Sequence, residues 1–240
     1  MINRIIGSQH MKKLGIIGGM SWESSATYYS YLNQGVRARL GGLHSAHLLL
    51  HSFDFAEIEA LQSAGNWQEA TKEMVKAALS LKDAGANALI IATNTMHKMA
   101  DEVETASGLP LFHIADATAA AIKAQNLSNP LLLATNFTMT QDFYKGRLQS
   151  KHDIHVLTPD VTDRAIIHDV IYNELCQGVV NLNSKDNYLK IIDKLKNEKA
   201  IDSVIFGCTE IGLLLSQDDL DLAAFDTTKI HCDYALDKLL

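Results

Sequence analysis

A cysteine and a threonine occupy matching positions in two similar stretches of this 240-residue chain. "VIFGCTEI" (204–211) is an apolar run that ends in Gly207 and Cys208, with Thr209 and Glu210 next. "IIATNTMH" (90–97) has the same form, with Thr93 where the other has the thiol. A thiol at the end of a buried strand, just before a helix, lies near free backbone N–H groups and the positive end of a helix dipole, which favour an anion. That setting is expected to lower the thiol pKa and make Cys208 a base or nucleophile. The same position also suits a small buried core residue, the usual lot of a free cysteine. Thr93 offers only a hydroxyl, a far weaker base. Asn94, Thr95 and Thr209 offer side-chain and backbone donors suited to a carboxylate, while Thr93 and Asn94 equally suit a helix cap. Glu210 reads as a charge at the start of a helix. His97, one turn on, fits either an acid–base helper or a structural hydrogen-bonder.

Further polar groups fall at other predicted strand ends. "GGMSWESS" (18–25) is a glycine-rich turn around Met20 through which a backbone can approach a ligand. It lacks the G-x-G-x-x-G spacing of a dinucleotide site. "ATNFTM" (134–139) places Thr135, Asn136 and Thr138 at the matching point of the chain's second half. No G-x-S-x-G elbow occurs. His44, His47 and His51 cannot share one helical face, so no metal site is expected from them. Cys176 and Cys232 fall inside predicted helices.

These junctions need strands to carry them, and the pattern supplies strands and helices in alternation. Strand signals fall at "LGIIGG", "AHLLLHSFDF", "ALIIAT", "LPLFHI", "PLLLATNFTM", "DIHVLTP" and "IDSVIFGCTE", with helical patterns between them. Thr162 is the expected cap of the helix that follows residue 160, and the last helix is expected to begin at Asp226 or Thr227. Such alternation implies an α/β fold with parallel sheets covered by helices. The separations Gly18–Thr93 and Ala134–Cys208 differ by a single residue. Two similar α/β halves follow, and ligands in such folds sit at strand C-terminal ends. Thr93 and Cys208 are then expected on opposite walls of one cleft.

Composition narrows the classes. Apolar residues make up 47% and charged residues 20%, with a net charge of −7. Neither a basic tract for nucleic acid nor an apolar stretch long enough for a bilayer is present. "MINRIIGSQH" has no apolar core of signal-peptide length, and three dispersed cysteines make no disulfide framework. A reducing cytoplasm is the expected setting.

With "GIIGGMSWES" (15–24), "TNTMHK" (93–98), "HIADAT" (113–118), Thr138–Met139, "IYNELCQG" (171–178) and "GCTEI" (207–211) in view, the chain resembles the aspartate/glutamate racemase family from Met11 onward. The resemblance implies two Rossmann-like α/β domains related by pseudo-twofold symmetry, with the active site between them. It places the first domain at 11–114 plus 214–240 and the second at 115–213, with 1–10 as an extension outside the fold. It implies a homodimer that needs neither pyridoxal phosphate nor metal. In that family two cysteines flank the substrate's α-carbon; one takes its proton and the other delivers one on the opposite face. Cys208 matches the second thiol. Thr93 replaces the first, which implies turnover that favours the L-enantiomer of aspartate, glutamate or a broader set of amino acids. Substrate contacts are expected from Met20, Ser52, Asn94, Thr95, Thr135, Thr138 and Thr209. "HSFDFAEI" carries no arginine for a distal carboxylate, and Lys145 and Arg147 read as solvated. Two other readings keep the fold: a single-thiol decarboxylase, and an amino-acid-binding protein without turnover.

Overall fold

The computed structural model describes residues 11–240; the expectation for residues 1–10 lies outside them. The chain divides into two compact units, residues 11–92, 99–112 and 232–240 in the first, and residues 93–98 and 113–231 in the second. Among the described residues no helix is long and apolar enough to cross a membrane.

The first unit is built on a parallel sheet of β1 (Leu14–Gly18), β2 (Leu48–Ser52) and β3 (Ala88–Ile91) in the order β2-β1-β3. Leu14 pairs with Leu48 on one side and Ala88 on the other. All of β1 and β3 is buried, as the unbroken apolar runs require of central parallel strands. Beyond β3 the predicted strand at 109–114 contracts to one bridge, Leu89 to Leu111. Its last residue instead opens the helix Ile114–Ala124, whose N-cap is His113. The helix Trp22–Leu40 packs Tyr28, Leu32 and Val36 on β1, and the tail of the last helix adds Cys232, Ala235 and Leu236 to that core.

In the second unit β4 (Pro130–Leu133), β5 (Ser203–Phe206) and β6 (Ala223–Asp226) are parallel in the order β4-β5-β6. The predicted strand at "DIHVLTP" is one bridge, Leu131 to Leu157, on the outer side of β4. Long helices Val161–Asn173 and Leu182–Lys199 cover this sheet with Ile167, Val170, Ile171, Tyr188, Ile191, Ile192 and Leu195. The cap at residue 160 differs from the expectation. Asp160 accepts from the amides of Thr162 and Asp163, because its carboxylate, two residues before Thr162, faces the first free N–H groups of the helix. Because β6 pairs with β5, residues 214–231 lie in the second unit, where the sequence assigned them to the first. The last helix, Thr227–Leu239, starts where expected and passes into the first unit at Cys232.

Counting the two bridges as strands, both units share one order, 2-1-3-4 in sequence. The match extends to single hydrogen bonds. Ala92 N donates to Ile17 O at 2.8 Å, and Gly207 N donates to Leu133 O at 2.7 Å. Residue 93 follows the first of these donors and residue 208 the second. Thr93 and Cys208 are therefore topological equivalents.

Candidate active site

Cys208 leaves β5 through Gly207, where a Cβ would lie 2.6 Å from the Leu132 side chain and 3.1 Å from the Leu133 carbonyl. Glycine is the residue that lets the strand end pack this closely on β4. A turn rather than a helix follows: Ile211 N donates to Cys208 O at 3.1 Å, and the helix itself is the short Ile211–Leu214 segment. The thiol donates to Glu210 Oε2 at 2.9 Å. Burial and the charge of Glu210, with Cys176 adding to both, push the thiol well above its ordinary range; the Glu210 backbone N–H pulls weakly the other way. This reverses the expected direction. A single helical turn that begins three residues later contributes little dipole, and a buried carboxylate against sulfur outweighs it. Glu210 stands at the N-cap position of that short segment, the helix start expected of it. Its side chain, 5% exposed, makes no cap and is directed at the thiol.

At the equivalent junction, Thr93 and the residues after it run into the 3-10 turn Thr95–Met99. Asn94 Nδ2 donates to Thr227 Oγ1 at 3.1 Å, and Thr227 donates to the Phe206 carbonyl at 2.8 Å. Asn94 is thus tied by two hydrogen bonds to the strand that delivers Cys208. Asn94 Oδ1 is buried without a hydrogen-bond partner, and so is Thr228 Oγ1. A buried acceptor left open loses its hydration with no return, so it is a natural point for a ligand donor.

Thr95, Thr135 and Thr138 meet as a triangle of hydroxyls, with Oγ1 separations of 3.2, 3.3 and 3.2 Å. All three are buried. Thr135 also caps the turn of helix Asn136–Thr140 by accepting from Thr138 N. Three hydroxyls can hydrogen-bond in a ring and can equally rotate their donors toward one anion. Lys98, three residues beyond Thr95, donates to Gln141 Oε1 at 2.7 Å. In a 3-10 turn residues three apart eclipse one another, so Lys98 and Thr95 share a face. The spacing of this lysine from Thr95 is legible within "TNTMHK". Arg147 is not solvated: it holds Asp116 through two bonds of 2.7 Å, with His152 on the same carboxylate at 2.9 Å.

Of the sequence-expected residues, Thr93, Asn94, Thr95, Thr135, Thr138, Cys208 and Thr209 all lie in the second unit. Met20 and Ser52 lie in the first. There Gly19, at φ 87°, is close enough to the Phe53 backbone that a Cβ would come within 2.3 Å of its nitrogen. Gly19 N donates to Ser25 Oγ at 2.8 Å, which fixes the loop that carries Met20. Met20 is buried and Ser52 is exposed at the end of β2. Among the described residues no group of three or more His, Cys, Asp or Glu side chains is arranged to hold a metal ion.

The chain is thus a duplicated parallel α/β fold with a thiol–carboxylate pair at one strand end and a hydroxyl at its equivalent. The family described as Asp/Glu/Hydantoin racemase matches residues 17–235, and the chain belongs to it; as a member it is an isomerase of the racemase type. A solved structure from Yersinia pestis, assigned as an Asp/Glu racemase, is 53% identical, with a TM-score of 0.89 over 95% of this chain and 99% of that one. An aspartate racemase homologue from Pyrococcus horikoshii OT3 is 34% identical, with a TM-score of 0.83 over 95% and 99%. The Picrophilus torridus aspartate racemase shares the fold at 22% identity, with a TM-score of 0.74 over 95% of this chain and 93% of that one.

Proposed function

We propose that this protein racemises acidic amino acids by moving the α-proton, with Cys208 as the base toward the L-enantiomer and Thr93 on the other face. The observation that carries the reading is the topological equivalence of Thr93 and Cys208, joined to the 2.9 Å contact between the thiol and Glu210. The Cys208 thiol donates its hydrogen bond to the Glu210 carboxylate. When the substrate's ammonium enters, its positive charge favours the thiolate, and the proton passes to the Glu210 carboxylate. The thiolate then removes the α-proton, leaving a carbanion stabilised by the adjacent carboxylate. A proton arrives on the opposite face from the Thr93 hydroxyl, which recovers its own from water; the hydroxide so formed takes back the proton held on Glu210, and the thiol–carboxylate pair is restored.

The recognition groups divide by chemistry. Asn94 Oδ1 is an acceptor and suits the ammonium. The Thr95–Thr135–Thr138 hydroxyls are donors and suit a carboxylate. Lys98, on the face of Thr95, supplies the cation that a second carboxylate needs. Because a threonine hydroxyl has no anion to offer near neutral pH, proton delivery from Thr93 and its reverse are equally slow, so Cys208 exchanges the α-proton of the L-form faster than either enantiomer inverts. The test is α-deuterium incorporation from D₂O into each enantiomer of aspartate and glutamate, followed by NMR. Faster incorporation into the L-forms is expected; equal rates for both enantiomers would remove the assigned asymmetry.

A further inference from the structure

His97 is 2% exposed and its ring is held at both nitrogens. The amide of Ile114 points at Nε2 at 3.2 Å, and Nδ1 lies 2.8 Å from the Thr93 carbonyl. A backbone N–H can only donate, so Nε2 must accept. The proton therefore sits on Nδ1 and is donated to the carbonyl of Thr93. The rings of His113 and His231 pack against it, with centroids at 4.6 and 5.5 Å. Burial first, then these two neighbours, hold His97 neutral far below the ordinary histidine range, so its one proton is the Nδ1–H committed to the Thr93 carbonyl. The ring is a strut from the start of helix Ile114–Ala124 to the Thr93 carbonyl.

The equivalent junction shows what the strut does. The Cys208 carbonyl takes its hydrogen bond from the backbone, Ile211 N at 3.1 Å, within a tight turn. At Thr93 a side chain borrowed from four residues on, and anchored on another element, supplies a donor to the equivalent carbonyl. The direction of the Thr93 peptide, and with it the Thr93 hydroxyl and the start of Asn94, is thereby set from outside the strand.

We propose that His97 is a positioning residue that aims Thr93 at the substrate through its Nδ1–H bond to the Thr93 carbonyl, while its Nε2 bond to Ile114 serves the fold. The inference rests on the role given to Thr93 under the proposed function. The two bonds can be separated. The amide nitrogen of asparagine reaches the place of Nδ1, whereas glutamine extends to the place of Nε2. His97→Asn keeps the donor to Thr93 and loses Ile114; His97→Gln keeps Ile114 and loses Thr93.

The experiment measures the thermal midpoint, and kcat and KM for conversion of L-aspartate and L-glutamate into their D-enantiomers, in both variants, alone and combined with Thr93→Ala. His97→Asn is expected to keep kcat within about threefold and lower the midpoint. His97→Gln is expected to hold the midpoint and lose roughly 10²-fold in kcat with KM little changed, the scale of a misplaced reacting group. In the Thr93→Ala background the His97→Gln loss should vanish, since the residue being aimed is gone. Equal kcat losses in the two variants, or a His97→Gln loss that simply multiplies with that of Thr93→Ala, would overturn the role of His97 while leaving the racemase reading intact. Wild-type protein that exchanges no α-proton would overturn the racemase reading, and His97's role with it.

Discussion

Replacing Glu210 with glutamine removes one negative charge from a buried position 2.9 Å from the Cys208 sulfur and keeps the shape of the side chain. The carboxylate disfavours the thiolate, so its loss must favour it. Two unit charges about 4 Å apart at an effective dielectric near 20 interact by about 4 kcal/mol. Only a third of that, about 1.4 kcal/mol, is tenfold in the thiolate population at fixed pH. Glu210→Gln is therefore expected to alkylate with iodoacetamide at least about tenfold faster at pH 7, read at Cys208 by peptide mass spectrometry so that Cys176 and Cys232 are scored apart. The same variant should be a worse catalyst. Glu210 is the acceptor that holds the thiol proton, and loss of a positioned proton-transfer group costs about 10²- to 10⁴-fold in rate. A thiol that gains reactivity toward an alkylating agent while losing α-proton exchange is the signature of the pair. Unchanged alkylation in Glu210→Gln would refute the contact and the reasoning built on it.

Three further outcomes are expected. Thr93→Cys places a second thiol at the equivalent strand end and should raise deuterium exchange from D-aspartate and D-glutamate at least about tenfold, measured by NMR; no gain would separate Thr93 from the chemistry. Lys98→Met should raise KM for aspartate and glutamate at least about tenfold and leave kcat nearly unchanged, checked by initial rates over a substrate series; an unaltered KM would take Lys98 out of recognition. His97 and His113 are held neutral in the folded protein, chiefly by burial, and His113 down to about 2. A depressed pKa stabilises the fold above the unfolded value near 6.5 and is lost as pH falls below it, by about 1.4 kcal/mol per pH unit for each proton taken up on unfolding. Urea midpoints should therefore decline steadily from pH 7 to pH 4.5, and a flat profile would contradict the neutral histidine stack.

The duplicated junction was legible because its cause is local. Each half writes a short apolar strand followed at once by polar residues, and the near-equal spacing of Gly18–Thr93 and Ala134–Cys208 marked the repeat that the sheets display. The strands at 109–114 and 153–159 read as full strands but make one bridge each, since periodicity reports burial and not how long an edge stays paired. The direction of the Cys208 shift was not legible. Position before a helix suggested a lowered pKa, whereas the packing that buries the thiol and the rotamer that brings Glu210 onto it are tertiary facts. Glu210 is legible as a charge at a helix start, but the turn that brings its side chain back onto the thiol has no sequence mark. The closed triangle of Thr95, Thr135 and Thr138 joins residues that the sequence had named separately for their strand-end positions. Arg147 read as solvated because its partner Asp116 lies on another helix.

The central step of the proposed reaction is removal of an amino acid's α-proton by the sulfur at position 208. Deuterium incorporation into L-aspartate and L-glutamate by wild-type protein and by Cys208→Ala, with folding of the variant checked by its thermal midpoint, tests this directly. Exchange by the wild type and its loss in folded Cys208→Ala is the predicted result. Exchange that survives without the thiol would contradict it.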